Sequence, residues 1–324
     1  MRRRDFMPLV CGAVVALPLA ALAQKAGQTY RLGCLSPHPR DIGFNVRFFD
    51  NLRRAGFIDG RNLTIDYRAF APHIDLISQL AAELIIARPD VIYAASGPAV
   101  HAVKQATKSI PIVGITDDMV GEGMVESFTR PNGNVTGISI FGAELDGMRQ
   151  DLLIEAVPGI RRMAALADTS QFITEAKARA LQEAARARNV ELSIYRITRA
   201  EEIAATIDKA QASGATALNV LSSGMLDGNG PLIIERVAAL RFPTMYQWGV
   251  RAEQGGFIGY GPSSDHLADL TARFAASLLR GTKPADLPVE QPTKFELVIN
   301  LKTARAMGVT VPEVLLARAD KVIE

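Results

Sequence analysis

The stretch Val91-Ile92-Tyr93-Ala94-Ala95-Ser96-Gly97-Pro98 joins an unbroken apolar run to the opening of a helix. A short run without polar alternation has the form of a strand buried on both faces, as in a parallel sheet. Proline fits the first helical turn, because the amide it lacks would have no partner there. Upstream, Ile74, Ile77, Leu80, Leu84 and Ile85 recur at steps of three and four, an amphipathic helix that Pro89-Asp90 ends. Before it, Leu63–Phe70 reads as a strand. Ile42, Val46, Phe49, Leu52 and Arg53 read as a helix closed by Gly56, and Tyr30–Ser36 as the first strand. Downstream, Ile110–Thr116 and Val135–Ile140 complete a five-strand run.

The rhythm then restarts. Leu145–Val157 is helical and stops at Pro158-Gly159, Met163–Ala167 is a strand, Ile173–Ala187 a helix and Leu192–Ile197 a strand. Thr198 with Glu201 forms a capping box for the next helix. Ala217–Leu221 and Pro243–Trp248 are strands around a helix at Leu232–Leu240, Phe257–Tyr260 is another strand, and Leu267, Leu270, Phe274 and Leu278 mark a last long helix. Such alternation predicts an α/β protein with parallel sheets covered by helices on both faces, here as two similar lobes. The proline-marked segment Lys283–Pro292 is the expected late crossing between them.

The chain has 324 residues, enough for two domains of about 150. Hydrophobic residues make up 48% and charged residues 22%, a globular composition. The net charge of +2 resides in the first 23 residues; the remainder holds 33 basic and 33 acidic side chains. That neutrality argues against a nucleic-acid partner, which requires a basic stripe. Two cysteines exclude a disulfide framework and a cysteine-rich metal site.

Residues 1–23 read as a cleaved signal peptide. Arg2-Arg3-Arg4 is a basic head, Phe6 to Leu22 is apolar with two prolines, and Ala21-Leu22-Ala23 is a small-x-small cleavage site before Gln24. Arg3-Arg4-Asp5-Phe6-Met7 is also twin-arginine-like, so either that route or general secretion would carry the chain to the periplasm. Cleavage removes Cys11 and leaves Cys34 as a single thiol, which suits an oxidising compartment.

Catalytic motifs are missing. There is no phosphate loop, H-E-x-x-H, C-x-x-C or G-x-S-x-G. Gly121-Glu122-Gly123 and Gly228-Asn229-Gly230 lack the third glycine that a pyrophosphate turn needs. The four histidines are scattered, and adjacent Asp117-Asp118 would point to opposite sides of an extended segment. No enzyme activity, cofactor or metal is therefore expected. What remains is a ligand cleft at the carboxyl ends of the strands, where open parallel sheets bind small molecules. In the first run these ends place Ser36, then Ser96 and Gly97, then Thr116 and Asp117. In the second they place Asp168 and Thr169, then Ser222, then Tyr246 and Trp248. Hydroxyls beside helix starts suit an anionic head. Asp117 or Asp168 suits an amine, and Tyr246 or Trp248 a planar body.

The block Pro284-Ala285-Asp286-Leu287-Pro288-Val289-Glu290-Gln291-Pro292-Thr293-Lys294-Phe295-Glu296-Leu297-Val298-Ile299-Asn300-Leu301-Lys302-Thr303-Ala304 resembles a signature of the ABC-transporter substrate-binding proteins, in the group that includes tryptophan and tyrosine binders. Ile110-Pro111-Ile112-Val113, Arg130-Pro131-Asn132-Gly133-Asn134-Val135-Thr136-Gly137, Ala156-Val157-Pro158-Gly159 and Gly255-Gly256-Phe257-Ile258-Gly259-Tyr260-Gly261 extend the resemblance over the mature chain. It implies a type I periplasmic-binding-protein fold, with two Rossmann-like lobes joined by three hinge crossings and closing on a solute. It places 28–141 with about 255–285 in the first lobe, and 142–254 with about 286–324 in the second. It also implies an ABC permease and its ATPase subunit as partners, and capture and delivery of a small polar or aromatic, amino-acid-like solute as the function. A periplasmic sensory protein or a secreted enzyme on the same scaffold is the alternative. The chain departs from the family where it has Asp117-Asp118-Met119 in place of Asp-Pro and Asp168-Thr169 in place of Asn-Pro.

Overall fold

The computed structural model describes residues 28–71, 73–169 and 175–324. The expected signal peptide lies outside the described residues, as do Ser170 and Ile173. The first lobe begins with β1 (Tyr30–Ser36), α1 (Gly43–Arg54), β2 (Leu63–Ala69), α2 (Ile77–Ile86), β3 (Val91–Ala95), α3 (Gly97–Ala106), β4 (Ile112–Thr116) and β5 (Val135–Ser139). Its five strands lie in the order β2-β1-β3-β4-β5, all parallel. Alternation along β4 divides the core. Val113 and Ile115 face one helical layer, while Ile112 faces the other, with Val100 and Leu84. β4 and β5 approach closely at two glycines. A Cβ on Gly137, whose φ is +142°, would lie 2.0 Å from the Gly114 carbonyl oxygen, so no larger residue fits there.

The chain continues through α4 (Gly142–Ala156), β6 (Arg162–Asp168), α5 (Glu175–Ala187), β7 (Glu191–Ile197), α6 (Ile203–Ala212), β8 (Leu218–Val220), α7 (Gly224–Gly228), α8 (Gly230–Ala239), β9 (Thr244–Tyr246), α9 (Gly249–Glu253) and β10 (Ile258–Pro262). It ends with α10 (Ser264–Leu279), β11 (Phe295–Asn300), α11 (Leu301–Met307), α12 (Glu313–Leu316) and β12 (Lys321–Ile323). The second sheet runs β12-β11-β10-β9-β8-β6-β7. It is mixed rather than wholly parallel, because β10 and β11 pair antiparallel.

Two sequence expectations need correction. Ile258–Pro262 was assigned to the first lobe, but β10 pairs with both β9 and β11 inside the second sheet. Buried backbone amides must find partners, and those of β10 find them only there. The chain enters the first lobe just afterwards, as α10 packs on α1. Phe48, Phe57 and Phe274 are almost fully buried in that core, each contributing about 1.5–3 kcal/mol. The exposed Arg47–Asp269 pair between the same helices adds little. The return crossing falls at the end of the expected Lys283–Pro292 segment. The Ser139 amide donates to the Glu290 carbonyl at 2.9 Å, and the Glu290 amide to Gly137 at 3.0 Å, so the chain stays with β5 until residue 290. Second, the partner of Thr198 is Glu202, not Glu201. A 3-10 turn at Ala200–Glu202 precedes α6, and Glu202 Oε2 accepts the Thr198 amide at 3.0 Å.

Three segments cross between the lobes: after β5 into α4, after β10 into α10, and after Glu290 into β11. Arg149 binds the first to the second. It is 1% exposed, donates from Nε to the Tyr260 carbonyl at 2.7 Å, and pairs from Nη1 with Asp146 at 2.7 Å. Among the described residues, no helix is long and apolar enough to cross a membrane.

Candidate functional site

The two sheets present their carboxyl ends to one cleft, and side chains meet across it. Ser222, just past β8, lies with its Oγ 3.1 Å from Asp117 Oδ1 at the end of β4. The same Oγ lies 2.9 Å from Gln247 Oε1, which also accepts the Ser223 amide at 3.2 Å. A serine hydroxyl has one hydrogen, so it cannot satisfy both oxygens. Gln247 keeps a second donor in Ser223, and Asp117 is left short of one. The Ser222 amide meanwhile donates to both oxygens of Asp146 at 3.2 and 3.3 Å. Next in sequence, Ser223 caps α7 and donates its hydroxyl to Asp168 at 2.7 Å.

Burial dominates the electrostatics. It raises the Asp117 carboxyl, with the Ser222 hydrogen bond and Arg149 opposing. It raises Asp146 to about 6 against the pull of Arg149, and Glu122 to about 7. Glu122 accepts the Asp118 amide at 3.0 Å and stands over the start of α3, where a Cβ on Gly97 would lie 2.4 Å from its Oε2. Lys177 on α5 acts on Asp117 and Glu122 from the opposite lobe.

Beside these groups is a cavity of about 210 Å³. The first lobe lines it with Phe70, Ile74, Ile77, Ser96 and Pro98, the second with Gly224 and Met225. Ser96 caps α3 by accepting the Ala99 amide at 3.4 Å. It does so with φ at +96°, a strained backbone for a serine and a feature that clusters at functional sites. A wider depression of about 480 Å³ lies among Gln182, Arg186, Asn189 and Glu191. Its lining comes from one lobe only, so closure could not enclose a solute there.

Of the expected site residues, Ser96, Gly97, Thr116, Asp117, Asp168 and Ser222 come to this region. Thr116 is 2% exposed and its Oγ1 has no hydrogen-bond partner among the described residues. Ser36 is buried and used within its own lobe, accepting the His38 amide at 3.3 Å. Three others are placed elsewhere. Tyr246 points into the second lobe's core, where its ring lies against Gly256. Strand alternation gives the cleft to its neighbour Gln247. Trp248 packs onto the first lobe's core across the hinge and does not line the cavity. Thr169 is exposed and donates to the Ile197 carbonyl at 3.1 Å, along the sheet's β7 edge. Sequence reading missed Glu122, Asp146, Arg149 and Gln247. Asp146 and Arg149 did carry a signal, an acid–base pair at i, i+3 between the apolar positions Leu145 and Leu152.

Comparison with known proteins agrees with the two-lobed fold. A tyrosine-binding protein of Clostridioides difficile is 25% identical over 279 residues, covering 84% of this chain and 79% of that protein. The crystal structure of an ABC domain in complex with L-Trp from Streptococcus pneumonia matches with a TM-score of 0.81 at 23% identity, over 91% of this chain and 100% of that one. The ligand-free, open structure of a substrate-binding protein with adhesive properties from Clostridium difficile matches with a TM-score of 0.62 at 23% identity, over 91% and 99%. The profile of one family, described as ABC transporter substrate binding protein, matches residues 44–323. A family profile spanning most of the chain, on two α/β lobes that meet at a cleft, assigns the protein: it belongs to the ABC transporter substrate binding proteins.

Proposed function

We propose that this protein captures a small amino-acid-like solute between its lobes and delivers it to the permease of an ABC importer driven by a cytoplasmic ATPase. Cleavage after residue 23 would release it into the periplasm. The observation that carries the reading is the donor deficit at Asp117. Its carboxylate shares one serine hydrogen with Gln247, and a solute ammonium would supply the missing donors. Thr116 Oγ1, buried beside Asp117 without a partner among the described residues, is a further polar contact for the same end. The apolar body would enter the cavity between Phe70, Ile77, Pro98 and Met225. The higher TM-score to the L-Trp complex than to the open structure supports a closed arrangement of the lobes. Both lobes can contact the solute only in that arrangement, so binding energy favours closure.

Titration calorimetry on the mature protein tests the solute class. L-tryptophan, L-tyrosine and tryptamine form one set, and indole-3-propionate, which lacks the amine, is the control. The expected result is one-to-one binding by at least one amine-bearing compound and none by the control. Binding of the control as tight as that of the amines, or no binding by any of them, overturns the assignment.

A further inference from the structure

The start of α3 faces the cleft, and one of the protein's own carboxylates stands on it. α3 has 10 residues, and its first amides have no partner within the helix. Such a start attracts an anion. Glu122, from the loop after β4, brings its carboxylate to that place. A Cβ on Gly97, the first residue of α3, would clash with its Oε2 and lie 3.3 Å from its Cδ. We propose that Glu122 is a specificity residue that bars a carboxylate from the start of α3, so that the solute is an amine with no free carboxylate beside its ammonium group.

The loop holds Glu122 in position. Its amide donates to the Asp118 carbonyl at 2.8 Å, and its Oε1 accepts the Asp118 amide at 3.0 Å. Asp118 Oδ1 accepts the Gly121 amide at 2.9 Å, and Lys104 on α3 donates to the Gly123 carbonyl at 2.6 Å. The loop is thus closed on itself and tied to the helix it covers. The carboxylate cannot leave its place without giving up the Asp118 amide. At the facing start of α7, Ser223 Oγ accepts the Met225 and Leu226 amides at 3.1 and 3.2 Å, so the protein caps that helix itself as well.

A second group points to the same place. Gly114 on β4 faces α3, since a Cβ there would lie 2.9 Å from Val100 Cγ2. Side chains two apart on a strand share a face, so Thr116 also points to the α3 side, at the end of β4. The Ser96 amide donates to the Ile115 carbonyl at 2.9 Å, which sets that strand end beside the start of α3. Thr116 Oγ1 is buried there with no hydrogen-bond partner among the described residues. Asp117, Glu122 and Thr116 therefore present acceptors at one end of the cleft, and an ammonium group has three hydrogens to give. Lys177 offsets only part of the charge of Asp117, Asp118 and Glu122, so the region is anionic. A solute carboxylate next to the ammonium would face Glu122 where partial burial makes like charges repel more strongly than in water.

The inference rests on the reading that Asp117 holds the solute's ammonium group, and its test separates the two. Calorimetry at pH 8 compares tryptamine with L-tryptophan and tyramine with L-tyrosine, on the mature wild-type protein and on Glu122→Gln. Burial raises Glu122 to about 7, so at pH 8 it is mostly ionised. Glutamine keeps the shape and an oxygen for the Asp118 amide but not the charge. The wild type is expected to bind the amine about ten-fold or more tightly than the matching amino acid, and Glu122→Gln to reduce that ratio about ten-fold. An amino acid that binds the wild type as tightly as its amine, or a ratio unaltered in Glu122→Gln, overturns the role of Glu122 and leaves the amine-binding reading standing. Absence of binding by all of these compounds overturns both.

Discussion

Ser222 Oγ sits 3.1 Å from Asp117 Oδ1 across the interlobe cleft and 2.9 Å from Gln247 Oε1 on its own lobe, so one hydroxyl hydrogen faces two acceptors. An ammonium group bound as proposed would resolve that competition by donating to Asp117. Asp117→Asn would remove the charge and turn part of the acceptor into a donor. The expected loss is about 1.5–3 kcal/mol, or ten- to a hundred-fold in affinity for an amine-bearing solute. Calorimetry reads it directly, and unaltered affinity would show that Asp117 does not hold the ammonium.

Ser96 separates binding from stability. Ser96→Gly removes the cap on the Ala99 amide but relieves a backbone strained at φ +96°. The lost cap costs only a few tenths of a kcal/mol with glycine in its place, and the relieved strain offsets that by about 1 kcal/mol or more. The melting temperature should therefore equal or exceed that of the wild type while solute affinity falls about ten-fold or more. A large loss of stability with affinity intact would make Ser96 a structural cap alone.

Glu122 should make stability depend on pH. Burial raises its carboxyl from 4.5 to about 7, so the folded chain binds more protons than the unfolded chain between those values. Stability then falls as pH rises through that window and levels off above it. Glu122→Gln should match the wild type near pH 4.5 and exceed it by about 1–3 kcal/mol at pH 8. Urea melts at the two pH values test this, and a constant difference between the proteins would contradict it.

Arg149 is a structural tie at the hinge. Removing it leaves Asp146 buried without its ion pair and frees the Tyr260 and Gln247 carbonyls. Arg149→Met should cost about 3–5 kcal/mol in urea unfolding. A cost under 1 kcal/mol would show that the pair is not coupled to the fold.

Much of the fold was legible because buried parallel strands and amphipathic helices carry opposite periodicities. Val91–Ala95 and Ile112–Thr116 stand where their apolar runs put them. The lobe of β10 was not legible, since a glycine-rich run such as Ile258-Gly259-Tyr260-Gly261 fits either sheet. The site shows the same division. Strand ends gave Asp117 and Ser222, but the parity that buries Tyr246 and presents Gln247 depends on where β9 begins. Trp248 appeared as a stacking platform because an aromatic residue at a strand end serves a ligand or a hinge equally well. Only packing distinguishes the two, and here it joins Trp248 to the first lobe's core.

The most direct test of solute capture is native mass spectrometry of the mature protein purified from the envelope of its own producing cell. The account predicts one small amine-bearing molecule per chain. It also predicts that the adduct disappears in Gly224→Trp, because the cavity between Ser96 and Met225 would then be filled. A chain that carries no adduct, or one whose adduct survives Gly224→Trp, would contradict it.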